Sequence, residues 1–232
     1  EDGIRDCLLS RGLGDVYKIQ LERSTSNASL QNDALYQKLA DFNSQNPEKG
    51  GPWYKKSLEV KKQTALLYDY IDSLKNVIVK KADGKDGDVN NIEHQDDLEA
   101  ASYIMLSPAQ KQGMKLRKEI DDYRNLIGSL MTDSIKRAAI ENYLSTTIHS
   151  GNRTQAPSMW ETTLFENMPV IAAVTILTKI QSDVRYAESE ALHTLINNID
   201  EGDVRVNQLN AFVIPNSKNI MRGGKYLSLI HI

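Results

Sequence analysis

The stretch "FENMPVIAAVTILTKIQSDVRYAE", Phe165–Glu188, opens apolar and ends charged, and the environment it occupies decides the fold. A transmembrane helix needs roughly 20 consecutive apolar residues. Here the apolar run from Pro169 to Leu177 is interrupted at Thr175 and closed by Thr178 and Lys179, too short to span. Beyond it Val170, Ala173, Leu177, Ile180, Val184, Ala187 and Ala191 follow one another in steps of three and four. That spacing sets side chains on one face of a helix, so the segment is predicted to lie against protein on one side only. Asn167 is the expected cap, Pro169 fits the first turn, and Gly202 closes the far end. The reading is one helix of about 30 residues, roughly 45 Å long. Its stripe is either the core of a bundle or, because small alanines allow close approach, the seam of a homodimer.

Both ends of the chain carry a different signal. "DVYKIQ" at Asp15–Gln20 and "LSLIHI" at Leu227–Ile232 are related as translated antisense reads of one DNA word, with a single base change at Ile19. The word resembles a transposon end used in sequencing libraries, and "EDGIRD" resembles a translated adapter. Residues 1–20 and 227–232 are therefore read as non-native and set aside from fold reasoning. The only cysteine, Cys7, goes with them, which removes disulfides, thiolate metal sites and a cysteine nucleophile from the native part. Three Lys or Arg and four Asp or Glu lie in these segments, so the net charge of −3 becomes about −2. Such a balance gives no electrostatic footprint for nucleic acid.

Residues 21–202 read as an all-α bundle of about four to five helices, the long one last. Leu30, Ala34, Leu35, Leu39 and Phe42 mark a first helix, stopped by the breakers in "NPEKGGP". Trp53 to Lys81 gives a second, with Val60, Leu67, Ile71, Leu74 and Ile78 on one face. After "ADGKDGDVNN" comes a short helical piece, Leu98 to Leu106. Leu116, Ile120, Tyr123, Ile127 and Leu130 then mark a third long helix, and Asp133 caps a fourth through Leu144. A polar loop follows, with Ser158 capping the turn into the long helix. From Asp203 the pattern changes to the β-branched run around Phe212–Ile214, with Ile220 and Met221 as a second strand. Two short strands do not make a stable sheet alone, so residues 203–226 are read as the truncated start of a β domain.

Candidate chemistry is sparse. Asp86, Asp88, Asn90 and Asp97 resemble a calcium loop, but its sixth position is Asn91 rather than glycine and its twelfth is Asp97 rather than glutamate. An exposed acidic turn explains the cluster better. His94, His149 and His193 never fall at the i, i+4 spacing of a zinc helix, and Gly223–Gly224 reads as a hairpin turn. The pairs Lys55–Lys56, Lys61–Lys62 and Lys80–Lys81 are interleaved with Glu59 and Asp69, as on a solvated helix face. Trp53, Tyr54, Tyr68 and Tyr70 read as packing at helix ends. No catalytic, cofactor-binding or metal-binding residue is assigned, and no enzyme is expected.

Taken in order, "WYKKSL", "ADGKDGDVNNIEHQDDLEAAS", "KLRKEIDDYRNLI", "LMTD", "WETTLFENMPVIAAVTILTKIQSDVRYAESEAL" and "VIPNSKNIMRGGKY" resemble the PorM/GldM family of type IX secretion and gliding proteins. The blocks run from about residue 46 to Tyr226, and residues 21–45 match more loosely. The resemblance implies a homodimeric periplasmic shaft, anchored in the inner membrane by a helix upstream of this chain. It implies a PorL/GldL-type partner that works with that helix as a proton-driven motor. It further implies β domains reaching a PorK/PorN-type ring at the outer membrane. No cofactor follows from it, and the motor residues map to no position here. The competing class is a helical-bundle sensor that encloses a small ligand and signals by helix displacement.

Overall fold

The computed structural model describes residues 2–147, 159–202, 212–215 and 228–231. The chain divides into two units, Glu1–Ile199 and Asp200–Ile232. Among the described residues there are seven helices: α1 (Asp2–Gln45), α2 (Pro47–Asp83), α3 (Glu99–Leu106), α4 (Gln112–Leu130), α5 (Ser134–Tyr143), α6 (Trp160–Phe165) and α7 (Val170–Gly202). The number exceeds the expected four to five because the short pieces α3 and α6 are helices in their own right. None of these helices is long and apolar enough to cross a membrane.

The break expected at "NPEKGGP" is a single residue. Asn46 alone separates α1 from α2, and its side chain accepts the Lys49 N–H at 3.2 Å. Pro47 then sits in the first turn, where a missing N–H costs nothing, so the helix starts six residues before Trp53 and carries Pro52 inside it. Gly50 makes the tight hairpin possible: a Cβ there would lie 2.9 Å from the Cα of Asn43.

At the other end of α2 the chain reverses through Gly84, whose φ of +92° favours a residue without Cβ. The Asp83 carboxylate gathers the next turn by accepting the N–H groups of Glu93 and His94 at 2.9 and 2.7 Å. Asp97 accepts the Glu99 and Ala100 N–H groups at the start of α3, and Asp133 caps α5 through the Ile135 N–H.

The entry to α7 differs from expectation. Asn167 does not cap it; it has a φ of +50° and donates its own N–H to Ser102 Oγ at 2.9 Å. The first free N–H groups of the helix, from Val170 and Ile171, are instead bonded by the carbonyls of Asp97 and Gln95. A helix start leaves donors without intrahelical partners, and here a distant loop satisfies them. The Ser158 cap lies outside the described residues.

The first unit contains two apolar clusters. The larger gathers α2 to α6 and most of α7 around residues such as Ile71, Ile78, Leu116, Ile127, Ile140, Phe165 and Leu177. The smaller joins Tyr36 and Leu39 of α1 to Leu192, Leu195, Ile196 and Ile199 of α7. In the second unit the described backbone pairs Phe212–Pro215 antiparallel with Ser228–His231. The remainder of the expected β segment at 203–226, including Ile220 and Met221, lies outside the described residues.

Candidate functional site

The long helix α7 carries two stripes. The stripe singled out in the sequence, Val170, Ala173, Leu177, Ile180, Val184, Ala187 and Ala191, lies in the interior of this chain's own bundle, no residue of it more than 8% exposed. A second stripe, Thr178, Gln181, Arg185, Glu188, Leu192, Leu195 and Ile199, keeps the same alternation of three and four. It is turned toward the α1–α2 hairpin. On α1 the facing residues Thr25, Asn32 and Leu39 recur every seven residues and are all buried. A seven-residue repeat is the period of two helices that stay in contact over a long seam.

Chemically the seam changes along its length. Toward the C-termini of α1 and α7 it is apolar: Tyr36 and Leu39 meet Leu192, Leu195, Ile196 and Ile199. Full burial of each such aliphatic side chain contributes about 1.5–3 kcal/mol. Toward the N-termini it is polar, and a hydrogen bond there adds a net of only about 0.5–1.5 kcal/mol when both partners are neutral.

Glu188 stands at the junction, 1% exposed. Its carboxylate accepts the Tyr36 hydroxyl at 2.8 Å, the Asn32 amide at 2.8 Å and the Arg185 guanidinium at 3.0 Å. An ionised carboxylate in such a place is tolerable only because its lone pairs are occupied. Burial, and after it the neighbouring Glu188 charge, holds the Tyr36 phenol far above its usual range, so it remains a donor. Arg185 is further held by the Tyr68 ring, 4.7 Å below its guanidinium.

Nearer the start of α7, Lys75 of α2 is buried and donates to Gln181 at 2.6 Å and to Asp72 at 2.9 Å. Gln181 in turn donates to the Tyr68 carbonyl and to Asp72. A cavity of about 260 Å³ lies here between the helices, lined among others by Thr25, Ser29, Tyr68, Lys75, Gln181 and Arg185. Deeper in the bundle, Tyr123 of α4 shares a 2.9 Å hydrogen bond with Thr64 of α2 and donates to the Val184 carbonyl of α7. Burial raises that phenol as well. These contacts fix the axial and rotational position of α7 relative to α1, α2 and α4, because each polar group has few alternative partners.

Of the other residues considered from sequence, Tyr68, Lys61, Trp53 and Tyr54 adjoin this seam, and the acidic-turn and histidine candidates lie apart from it. Asp88 accepts the Asn90 N–H within its own turn, and Asp97 is engaged at the start of α3. His94 is exposed and bonded to Asp83, and His193 is exposed on α7. Of the basic pairs, Lys56 lies over the Trp53 ring, Lys61 over Tyr36 and Lys81 over Tyr103. Among the described residues no group of three or more His, Cys, Asp or Glu converges as metal ligands would. His149, Gly223 and Gly224 lie outside them. The α1–α7 seam is not isolated by the sequence patterns above. Its signal is the seven-residue recurrence of Thr25, Asn32 and Leu39, whose polar members hide it from a search for apolar periodicity.

Comparison with curated proteins finds no match. Residues 16–198, most of the chain and all of the seam except Ile199, match the family model described as the GldM N-terminal domain. The chain therefore belongs to the GldM/PorM family and carries its N-terminal domain.

Proposed function

We propose that this chain is a force-transmitting element of the gliding and type IX secretion machinery, joining an inner-membrane motor to components at the outer membrane. Family membership makes it a component of that machinery, and the family is structural rather than a known enzyme class. The observation that carries the mechanical reading is α7, 33 residues and about 50 Å of uninterrupted helix. One stripe of it is locked into the bundle core and the other is keyed to α1. A helix gripped on two sides cannot bend or rotate without breaking packing, so displacement at one end is delivered to the other. In this reading the domain works in the periplasm as a homodimer. A PorL/GldL-type subunit acts on it from the inner membrane, and a PorK/PorN-type ring receives the motion beyond the β domains.

The test places Ala187→Glu in the intact protein in cells. Ala187 is fully buried on the inner stripe, so an unpaired charge there disrupts the grip on α7. Gliding and cargo release into the medium are both expected to fail, while Tyr186→Glu, at a site 40% exposed, leaves both intact. Normal gliding and secretion by the Ala187→Glu strain would refute the proposal.

A further inference from the structure

We propose that residues 21–32 of α1 form a releasable strap that lifts from α2 and α7 as a unit, pivoting at Tyr36 and Leu39. The seam changes character at the same level on both helices. Below the pivot Asn32 of α1 donates to the Arg185 carbonyl and to Glu188 of α7, and Thr25, whose hydroxyl bonds the Leu21 carbonyl of its own helix, lines the cavity with Thr178, Gln181 and Arg185. Above it, Leu39 packs with Leu192, Leu195 and Ile199. Polar contacts exchange for water at small net cost, whereas apolar ones do not. Opening is therefore cheap on one side of Tyr36 and costly on the other.

Three further observations point the same way. First, the surface beneath the strap is complete without it. Lys75 with Asp72, Lys75 with Gln181, and Gln181 with the Tyr68 carbonyl are all contacts within or between α2 and α7, and they survive when α1 leaves. Second, the closed seat is imperfect. The 260 Å³ cavity runs under Thr25 and Ser29, and Asn32 Oδ1 and Arg185 Nε are buried with no hydrogen-bond partner in the protein, so both gain water on release. Third, release costs Glu188 only its Asn32 contact, because the Tyr36 hydroxyl at the pivot and Arg185 on its own helix remain. A strap of this kind would let the bundle admit a change in the direction of the chain entering it without unfolding α7. It needs no partner protein, so its test in the purified chain reads separately from the role in secretion.

Amide hydrogen exchange on the full chain tests it. Residues 21–32 are expected to exchange together, at least about tenfold faster than residues 36–45 and the facing part of α7, with a step between Asn32 and Tyr36. Thr25→Leu with Ser29→Leu fills the cavity with apolar side chains and breaks none of the Glu188 bonds. It should bring residues 21–32 to the protection of 36–45. Equal protection along α1 in the unsubstituted chain would overturn the strap. So would a smooth gradient of simple end fraying, or a step that the filled variant leaves unchanged.

Discussion

Replacing Glu188 by Ala tests whether the α1–α7 seam is held by its buried carboxylate. The substitution leaves the Tyr36 hydroxyl, the Asn32 amide and the Arg185 guanidinium without their acceptor. Removing one member of a buried charged pair costs about 3–5 kcal/mol. Arg185 is 20% exposed and recovers some hydration, which places the expected loss near the lower end, about 3 kcal/mol. With a urea slope of about 2 kcal/mol per molar, the midpoint should fall by about 1.5 M at unchanged slope. Tyr36→Phe removes one hydrogen bond to an ionised group and should cost about 1.5 kcal/mol. In the Glu188→Ala background the same change should cost almost nothing, giving a coupling energy of about 1.5 kcal/mol in the double-mutant cycle. Simple additivity of the two substitutions, or a Glu188→Ala midpoint equal to that of the unsubstituted chain, would refute the reasoning.

Two glycines should respond in opposite directions. Gly50→Ala places a methyl 2.9 Å from the Asn43 backbone and should lower stability by about 1–3 kcal/mol, although alanine is the better helix former. Gly128→Ala, with nothing within 4 Å, should raise it by about 0.5–1 kcal/mol, and thermal melts of both variants check the sign. Asp83 gives a pH signature. Burial opposes its ionisation, but the N–H groups of Glu93 and His94 and the His94 ring outweigh that and hold its carboxyl below the usual range. A depressed carboxylate contributes stability above its unfolded value of about 4 and loses it as pH falls through the folded value. The deficit of Asp83→Asn should accordingly be full at pH 7 and shrink below about pH 4, as measured by urea midpoints across that range.

Much of the helical architecture is readable in the residues because apolar side chains at helical spacing have only one way to be buried. The Asp133 cap is a local rule of that kind, and the structure shows it in place. What the sequence hides is set by distant contacts. "NPEKGGP" reads as a turn, yet Asn46 with Pro47 reverses the chain in one residue because Gly50 allows two backbones to touch. Asn167 has the chemistry of a cap, but the carbonyls of Asp97 and Gln95, some 70 residues earlier, take that role. The seam around Glu188 is hidden for a related reason. A buried Asn, Glu and Arg look like surface residues until their partners on another helix are known.

In the function proposed above, motion passes along α7 because the helix is continuous and gripped. Inserting about ten Gly and Ser residues after Asp200 in the intact protein breaks that continuity, since such a linker behaves as a flexible coil. Gliding speed and secreted cargo should both drop to the level of cells lacking the protein, while the amount of protein and its melting temperature stay unchanged. Wild-type gliding and secretion with the linker in place would contradict force transmission.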